Sequence, residues 1–402
     1  MTALSPIERA AIDRIADAPI LAQTEAWVAV NSGTRNLAGL AAMADLLADA
    51  FAVLPGAVAL IEPEPVDAVA ADGLAEPIGH GRHLHLAVRP EAPVQLLLTG
   101  HMDTVYGADH PFQQGRWLPD GTLNAPGAAD MKGGLALMLA ALRAVEASPL
   151  AGRIGYTVLI NSDEETGSLS SRALIERVAR GKIAALTYEP ALPDGTLAGA
   201  RGGTGNFSLV VQGRSAHAGR NPDEGRNALV AAADLAVRLA AAKTPGLSVN
   251  PARIDGGGPN NVVPDMAVLR INFRPHDADA IAAAQAALDA AAAAVAADRD
   301  VRVTVHGSFN RPPKPIDAGA ARLFELVRSV GADLGIPVSW RATGGVCDGN
   351  NIAACGVPVV DTMGARGGAI HSVEEFLIPE SLPERAALSA LTLLRIAEKG
   401  TL

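Results

Sequence analysis

The chain has 402 residues, 49% hydrophobic and 19% charged, which suits a soluble protein of two or more domains. Its net charge is −10 and its 33 lysines and arginines do not gather in runs, which argues against nucleic acid and anionic membranes as main partners. The first twenty residues carry acids and no apolar core of signal-peptide length, and the two cysteines lack CxxC spacing, so a reducing cytoplasm is the expected setting.

Residues 1–50 read as helical, with Ser5-Pro6 opening one segment and Asn36 capping a second that ends near Ala50. From about 57 to 99 the pattern alternates and is broken by Pro and Gly, as in strands and hairpins. His83 and His85 alternate there with Leu84 and Leu86, which puts the histidines on the polar face of a hairpin strand. The apolar run Leu96-Leu97-Leu98-Thr99 then breaks at Gly100 into His101-Met102-Asp103, a buried strand ending in a histidine with a carboxylate two residues on. Gly133–Ala147 is predicted as a helix, and Ile154–Ile160 as an apolar strand running into Asn161-Ser162-Asp163-Glu164-Glu165. Ser171–Arg180 is helical, and Ile183–Thr187 is a short strand ending at Tyr188-Glu189-Pro190. Strands alternating with helices predict an α/β fold with a mixed, mostly parallel sheet that presents ligands at strand C-terminal ends.

The middle changes character. Strands at Phe207–Gln212, Ser248–Ile254, Met266–Phe273 and Val301–Val305 alternate with helices at Asn227–Ala241 and Ala278–Ala297. That β-α-β-β-α-β order is the split ferredoxin-like motif of a small α+β domain, placed at 202–310. Its long alanine-rich helix is interrupted by Asp279, Gln285 and Asp289, so it lacks the roughly 18 unbroken apolar residues of a membrane span. After Arg311-Pro312-Pro313 the alternation resumes, with helices at 318–335 and 382–399 and a strand at Val357–Asp361. The outer domain is thus expected as 1–201 plus 311–402, interrupted by an insert.

The chemistry concentrates at the outer domain's strand ends. His101, Asp130, Glu165, Glu189 and, near the end of the chain, His371 are metal-type donors. Two histidines and three carboxylates suit two Zn²⁺ ions, with Co²⁺ or Mn²⁺ as substitutes. Three carboxylates against two divalent ions leave a single positive charge, which a bridging hydroxide cancels. Of the neighbours Glu164 and Glu165, one can bind metal while the other takes the proton of the bridging water. Asp103 then sits behind His101 and fixes its tautomer.

These motifs resemble a known family. Gly100-His101-Met102-Asp103-Thr104-Val105, Gly127-Ala128-Ala129-Asp130-Met131-Lys132-Gly133-Gly134, Asp163-Glu164-Glu165-Thr166-Gly167-Ser168 and Tyr188-Glu189-Pro190 look like those of the co-catalytic zinc peptidases. That family includes glutamate carboxypeptidase, acetylornithine deacetylase, succinyl-diaminopimelate desuccinylase and the aminoacylases. The likeness continues through Gly213-Arg214-Ser215-Ala216-His217-Ala218-Gly219, Asn260-Asn261-Val262-Val263-Pro264 and His371, and is strongest to the bacterial folate-hydrolysing glutamate carboxypeptidase branch.

The resemblance implies that Asp130 bridges two zincs, with His101 and Glu189 on one and Glu165 and His371 on the other. It makes Glu164 the base, Asp103 the orienting acid and Asp130–Met131 a cis peptide. The insert becomes a lid and dimerisation domain, so that the chain forms a homodimer in which His217 reaches the neighbouring subunit's site and stabilises the oxyanion. Asn261 and Arg274 are implied to bind the substrate's terminal carboxylate. Arg311 is a further candidate for an anionic side chain, and the loop around Gly345 is implied to line the pocket.

The reading that follows is a dinuclear zinc hydrolase cleaving an amide bond beside a free carboxylate. Carboxypeptidase action on small acidic peptides ending in Glu or Asp comes first, and an N-acyl-amino-acid deacylase is the alternative. A metal-free binding relative would need a broken ligand set, whereas all five ligands and the base are present. Cys347 has no motif-matched His or Asn partner and is not read as a nucleophile, and Lys132 is expected to cap or pair locally.

Overall fold

The computed structural model describes residues 4–402. Three helices open it: α1 (Pro6–Ala16), α2 (Ile20–Val28) and α3 (Leu37–Phe51). Ser5 accepts from the Glu8 N–H while Glu8 reaches back to the Ser5 N–H, a reciprocal cap, and Asn36 caps α3 by accepting from Gly39. The expected pair of segments is three because Pro19, which cannot donate within a helix, separates α1 from α2.

The strands of the two main sheets are, in chain order, β1 (Ala57–Ile61), β2 (His83–Val88), β3 (Gln95–His101), β4 (Gly155–Asn161), β5 (Ala184–Thr187), β6 (Thr204–Gln212), β7 (Leu247–Gly256), β8 (Met266–Pro275), β9 (Arg302–Arg311) and β10 (Val359–Val360). The remaining helices are α4 (Gly133–Glu146), α5 (Arg172–Ala179), α6 (Ala228–Ala240), α7 (Ala278–Arg299), α8 (Ala318–Leu334), α9 (Asp348–Ala354) and α10 (Ser381–Lys399).

The first sheet runs β1-β2-β4-β3-β5-β10, parallel from β4 to β10 and antiparallel at the β1 and β2 edge. Its middle strands are buried on both faces, which is why they read as near-continuous apolar runs. Helix α4 is buried along most of its length and packs against α10. The predicted strand Val357–Asp361 shortens to Val359–Val360, because Pro358 contributes a carbonyl to Ala185 but has no N–H to extend the ladder.

The second sheet runs β7-β8-β6-β9, entirely antiparallel, with α6 and α7 packed against it. Its core shares no residue with the first. Helix α7 is long and apolar enough to cross a membrane by length and composition, yet it buries the stripe Ala284, Leu288, Ala291 and Val295 against this sheet.

Two local expectations are corrected. His83 is not on a polar face: it is fully buried, with Nδ1 3.3 Å from the Ser162 nitrogen and Nε2 3.4 Å from Ser170 Oγ. Lys132 pairs with nothing local. Its buried ammonium donates to the Val30 carbonyl at 2.7 Å, and burial lowers it to about 7.

Candidate metal centre

The strand register assembles the site. His101 lies opposite Asn161 across β3 and β4, and Thr99 lies opposite Thr187 across β3 and β5. The chain leaving β4 therefore brings Glu164 and Glu165 beside His101, and the chain leaving β5 brings Glu189 to its other side. Asp130 comes from the one-turn segment Ala128–Lys132 that leads into α4, and the Asp130–Met131 peptide is cis. A Cβ on Gly134 would stand 2.2 Å from the Tyr188 carbonyl, so glycine is what lets α4 start against the strand end that carries Glu189.

Asp130 faces both histidines. Its Oδ1 is 3.0 Å from His101 Nε2 and its Oδ2 is 3.3 Å from His371 Nε2. Glu189 Oε2 lies 3.8 Å from His101 Nε2, and Glu165 Oε2 lies 3.1 Å from His371 Nε2. Donor atoms of His101, Asp130 and Glu165 lie within 4.8 Å of one another, as do those of His101, Glu164 and Glu189. His371 is held with φ 63°, in the left-handed region that non-glycine residues seldom occupy.

The second layer of contacts aims these donors. His101 Nδ1 lies 3.0 Å from the Asp103 carbonyl and 3.4 Å from Asp103 Oδ1, which leaves Nε2 to face Asp130 and Glu189. The buried Asp103 carboxylate accepts from the Glu164 N–H at 3.1 Å, the Glu165 N–H at 3.2 Å and Thr34 Oγ1 at 2.7 Å. Asp103 thus orients His101 and also clamps the backbone of both glutamates.

Glu375, absent from the sequence reading, does the same for Asp130. It accepts from the N–H groups of Gly127, Ala129 and Asp130 at 3.0–3.1 Å and from the Tyr106 hydroxyl at 2.8 Å. Its one sequence signal is its position four residues past His371, where an acid in a short polar loop reads as solvated.

Burial and mutual repulsion set the protonation of the cluster. Burial carries Glu164 to about 7 against the opposing pull of Arg311, and burial with Asp130 carries Glu165 to about 8. Hydrogen bonds to Asp130 and Glu165 raise His371 to about 11. Glu189 Oε1 is buried with no hydrogen-bond partner among the described residues. Converging carboxylates, two correctly presented imidazoles and an orphaned buried oxygen fit a bound cation.

The cavity at this centre has a volume of about 650 Å³. Its lining includes Gly345, as expected, whose carbonyl accepts from Arg201 at 3.1 Å. His217, Asn261, Arg274 and Arg311 are not among the described lining residues. His217 and Asn261 instead sit together on the second sheet's side, where Ala216–His217 pairs with Val262–Val263, and both are exposed. Arg274 is exposed and donates to Asn272 Oδ1 at 2.9 Å.

Arg311, expected to meet an anionic side chain, is buried, with Nη2 2.7 Å from Glu164 Oε1. The arginine that does face the cavity is Arg341, which sequence reading passed over. Its backbone pairs with Ala198, and its exposed guanidinium forms no hydrogen bond or ion pair with a described residue, although its charge is felt at Asp194. Arg201, the other guanidinium in the lining, is bound to Asp361 at 2.8 Å.

Comparison with known proteins places this geometry. The model of peptidase family M20/M25/M40 matches residues 97–395. The chain belongs to that family. It is 31% identical over 308 residues to carboxypeptidase G2 from Pseudomonas sp. (strain RS-16), covering 73% of this chain and 72% of that one. It is 28% identical over 305 residues to a succinyl-diaminopimelate desuccinylase from Janthinobacterium sp. (strain Marseille), covering 70% of this chain and 78% of that one. The fold matches a dinuclear metal-binding M20 peptidase from Bacillus subtilis with TM-score 0.64 at 15% identity, over 97% of this chain and 99% of that one. The protein is a hydrolase of a metal-dependent peptidase family with the mixed α/β architecture of that family.

Two outcomes follow from the donor set. Metal binding must displace protons from Glu165, His101 and His371, so affinity for Zn²⁺ should rise between pH 6 and 8 by more than about tenfold per unit. Chelator competition across that range checks this, and a flat profile would contradict it. Replacing Glu375 by Ala should weaken metal binding by about 10- to 100-fold, because Asp130 loses its backbone anchor. Metal retention after dialysis against a weak chelator provides the measurement.

Proposed function

We propose that this chain is a dinuclear metallo-carboxypeptidase that releases a C-terminal Glu or Asp from small acidic peptides. The observation that carries the reading is the split carboxylate of Asp130, with one oxygen turned to His101 and the other to His371. It supports Asp130 as the bridge between two ions, with His101 and Glu189 completing one site and Glu165 and His371 the other. Two Zn²⁺ ions, or Co²⁺ or Mn²⁺ in their place, would acidify a water and polarise the scissile carbonyl when bound.

The protein's own residues supply the rest. Glu164, within the cavity and raised to about 7 by burial, takes the water's proton and returns it to the departing amine. His101 is kept in one tautomer by the Asp103 backbone carbonyl, and the Asp103 carboxylate holds Glu165 beside it by accepting from its N–H. Arg341 is the guanidinium lining the cavity that no protein carboxylate occupies, and it receives the acidic side chain of the substrate. The named activity of the carboxypeptidase G2 relative agrees with this. The desuccinylase relative favours a second reading, in which Arg341 meets the carboxylate of an N-acyl group.

The inserted unit, 202–310, serves as lid and dimerisation domain. His217 is exposed and does not line its own chain's cavity, which supports its acting on the partner's substrate in a homodimer. Both cysteines are free thiols, in keeping with a cytoplasmic setting.

Glu164→Gln and His217→Ala should each lose turnover while Glu164→Gln keeps its metals. In an equimolar mixture of the two, half the dimers carry one intact cavity, so about a quarter of wild-type turnover should return. A mixture as inactive as its parents would remove His217 from the partner's site. Replacing Arg341 by Ala should cut the preference for C-terminal Glu over Gln by about 10- to 100-fold, the worth of one charge-assisted contact. An unchanged Glu/Gln ratio would show that another group reads the side chain, and N-succinyl and N-acetyl amino acids assayed in parallel separate the two readings.

A further inference from the structure

Arg311 is the last residue of β9, and the chain re-enters the first core directly after it through Pro312 and Pro313. Its guanidinium is buried behind Glu164. Nη2 lies 2.7 Å from Glu164 Oε1 and donates to the Glu164 carbonyl at 2.9 Å and to Ser168 Oγ at 2.9 Å. Asp348 Oδ1, at 3.4 Å, holds the same nitrogen from the far side. Asp348 is itself fixed, since Asn161 donates to its Oδ2 at 2.8 Å and Ser168 donates to its Oδ1. One buried cation therefore grips both the side chain and the main chain of Glu164, and is backed by a carboxylate that cannot move away.

A glutamate left to itself has several rotamers, and only some of them reach a water in the cavity. We infer that Arg311 is a positioning residue for the base: it selects the rotamer of Glu164 that faces the metal donors, and fixes it from the strand that closes the inserted unit. Arg311 does not touch substrate, and it acts through Glu164. The inference rests on the assignment of Glu164 as base made above. It also explains why a fully charged side chain is kept out of water at the end of β9, where an exposed arginine would carry no desolvation cost.

The test is Arg311→Ala in the full-length, metal-loaded protein, with an acidic dipeptide as substrate. We expect kcat to fall about 10²-fold, the cost of a misplaced catalytic group, with KM and metal content within twofold of wild type. Millimolar guanidinium chloride should restore part of kcat, while equal concentrations of urea or NaCl should not. A KM that rises with kcat unchanged makes Arg311 a substrate-binding group and overturns the inference. Equal restoration by urea or NaCl, or loss of metal alone, overturns it too. If Arg311→Ala does not fold, Arg311→Lys takes its place: a reduced kcat with normal KM supports the inference, and wild-type kcat ends it. Glu164→Gln is measured alongside. Full turnover in that variant would reject the base assignment, whereas an inactive Glu164→Gln beside a fully active Arg311→Ala would reject only the role of Arg311.

Discussion

The structure depends on gathering acidic side chains where water cannot solvate them. Asp130, Glu164, Glu165 and Glu189 converge in one cavity, and burial alone pushes the proton affinity of each upward. The acids behind them are satisfied by fixed donors: Asp103 by two backbone N–H groups and Thr34, Asp163 by Ser170 and Ser171, and Glu375 by three backbone N–H groups and Tyr106. The inner four meet little besides two imidazoles and one guanidinium. Asp130 alone escapes the upward push, because both histidines bond to it and outweigh its burial. Such an arrangement is costly without a compensating positive charge, and the outer contacts fix its members in place.

The wall of the cavity shows a different use of buried charge. Asp361 follows β10 and is bound by Arg201 at 2.8 Å and by Lys314 at 3.1 Å. Burial alone would raise its carboxyl, and the two cations bring it below the ordinary value. Arg201 lies just before the inserted unit and Lys314 just after it, so this ion triplet joins the two chain crossings. Removing one member of such a buried set typically costs about 3–5 kcal/mol, because the remaining charge is stranded.

How much of this was legible in the sequence follows from how far each contact reaches. The donors His101, Glu165 and Glu189 stand where apolar runs end, so alternation and chain order alone bring them to one edge. The second sheet was legible because apolar strand segments and two alanine-rich helical stretches follow one another in the order of the split motif. Glu375 and the Glu164 partner of Arg311 were not, because their meaning lies in contacts across more than a hundred residues, and Arg341 was not, because only the folded cavity shows that it lines the site. His83 misled for a related reason: alternation assigns it a face, and only the packing of Ser162 and Ser170 shows that the face is closed. In the sequence Asp103 is legible only as one half of a pair with His101. Its grip on the backbone of Glu164 and Glu165 required the register of β3 against β4.

The spread of the donors along the chain has a consequence for biosynthesis. His101 belongs to the third strand of the first sheet, while His371 lies beyond the inserted unit, near the carboxy-terminal helix. A growing chain therefore displays one imidazole and three carboxylates well before the second imidazole has left the ribosome. The inserted sheet, with its own core, completes its pairings in that interval. Only after β10 docks against β5 can His371 come to face His101, Asp130, Glu165 and Glu189, so the cluster is completed late and depends on segments from both sides of the inserted unit.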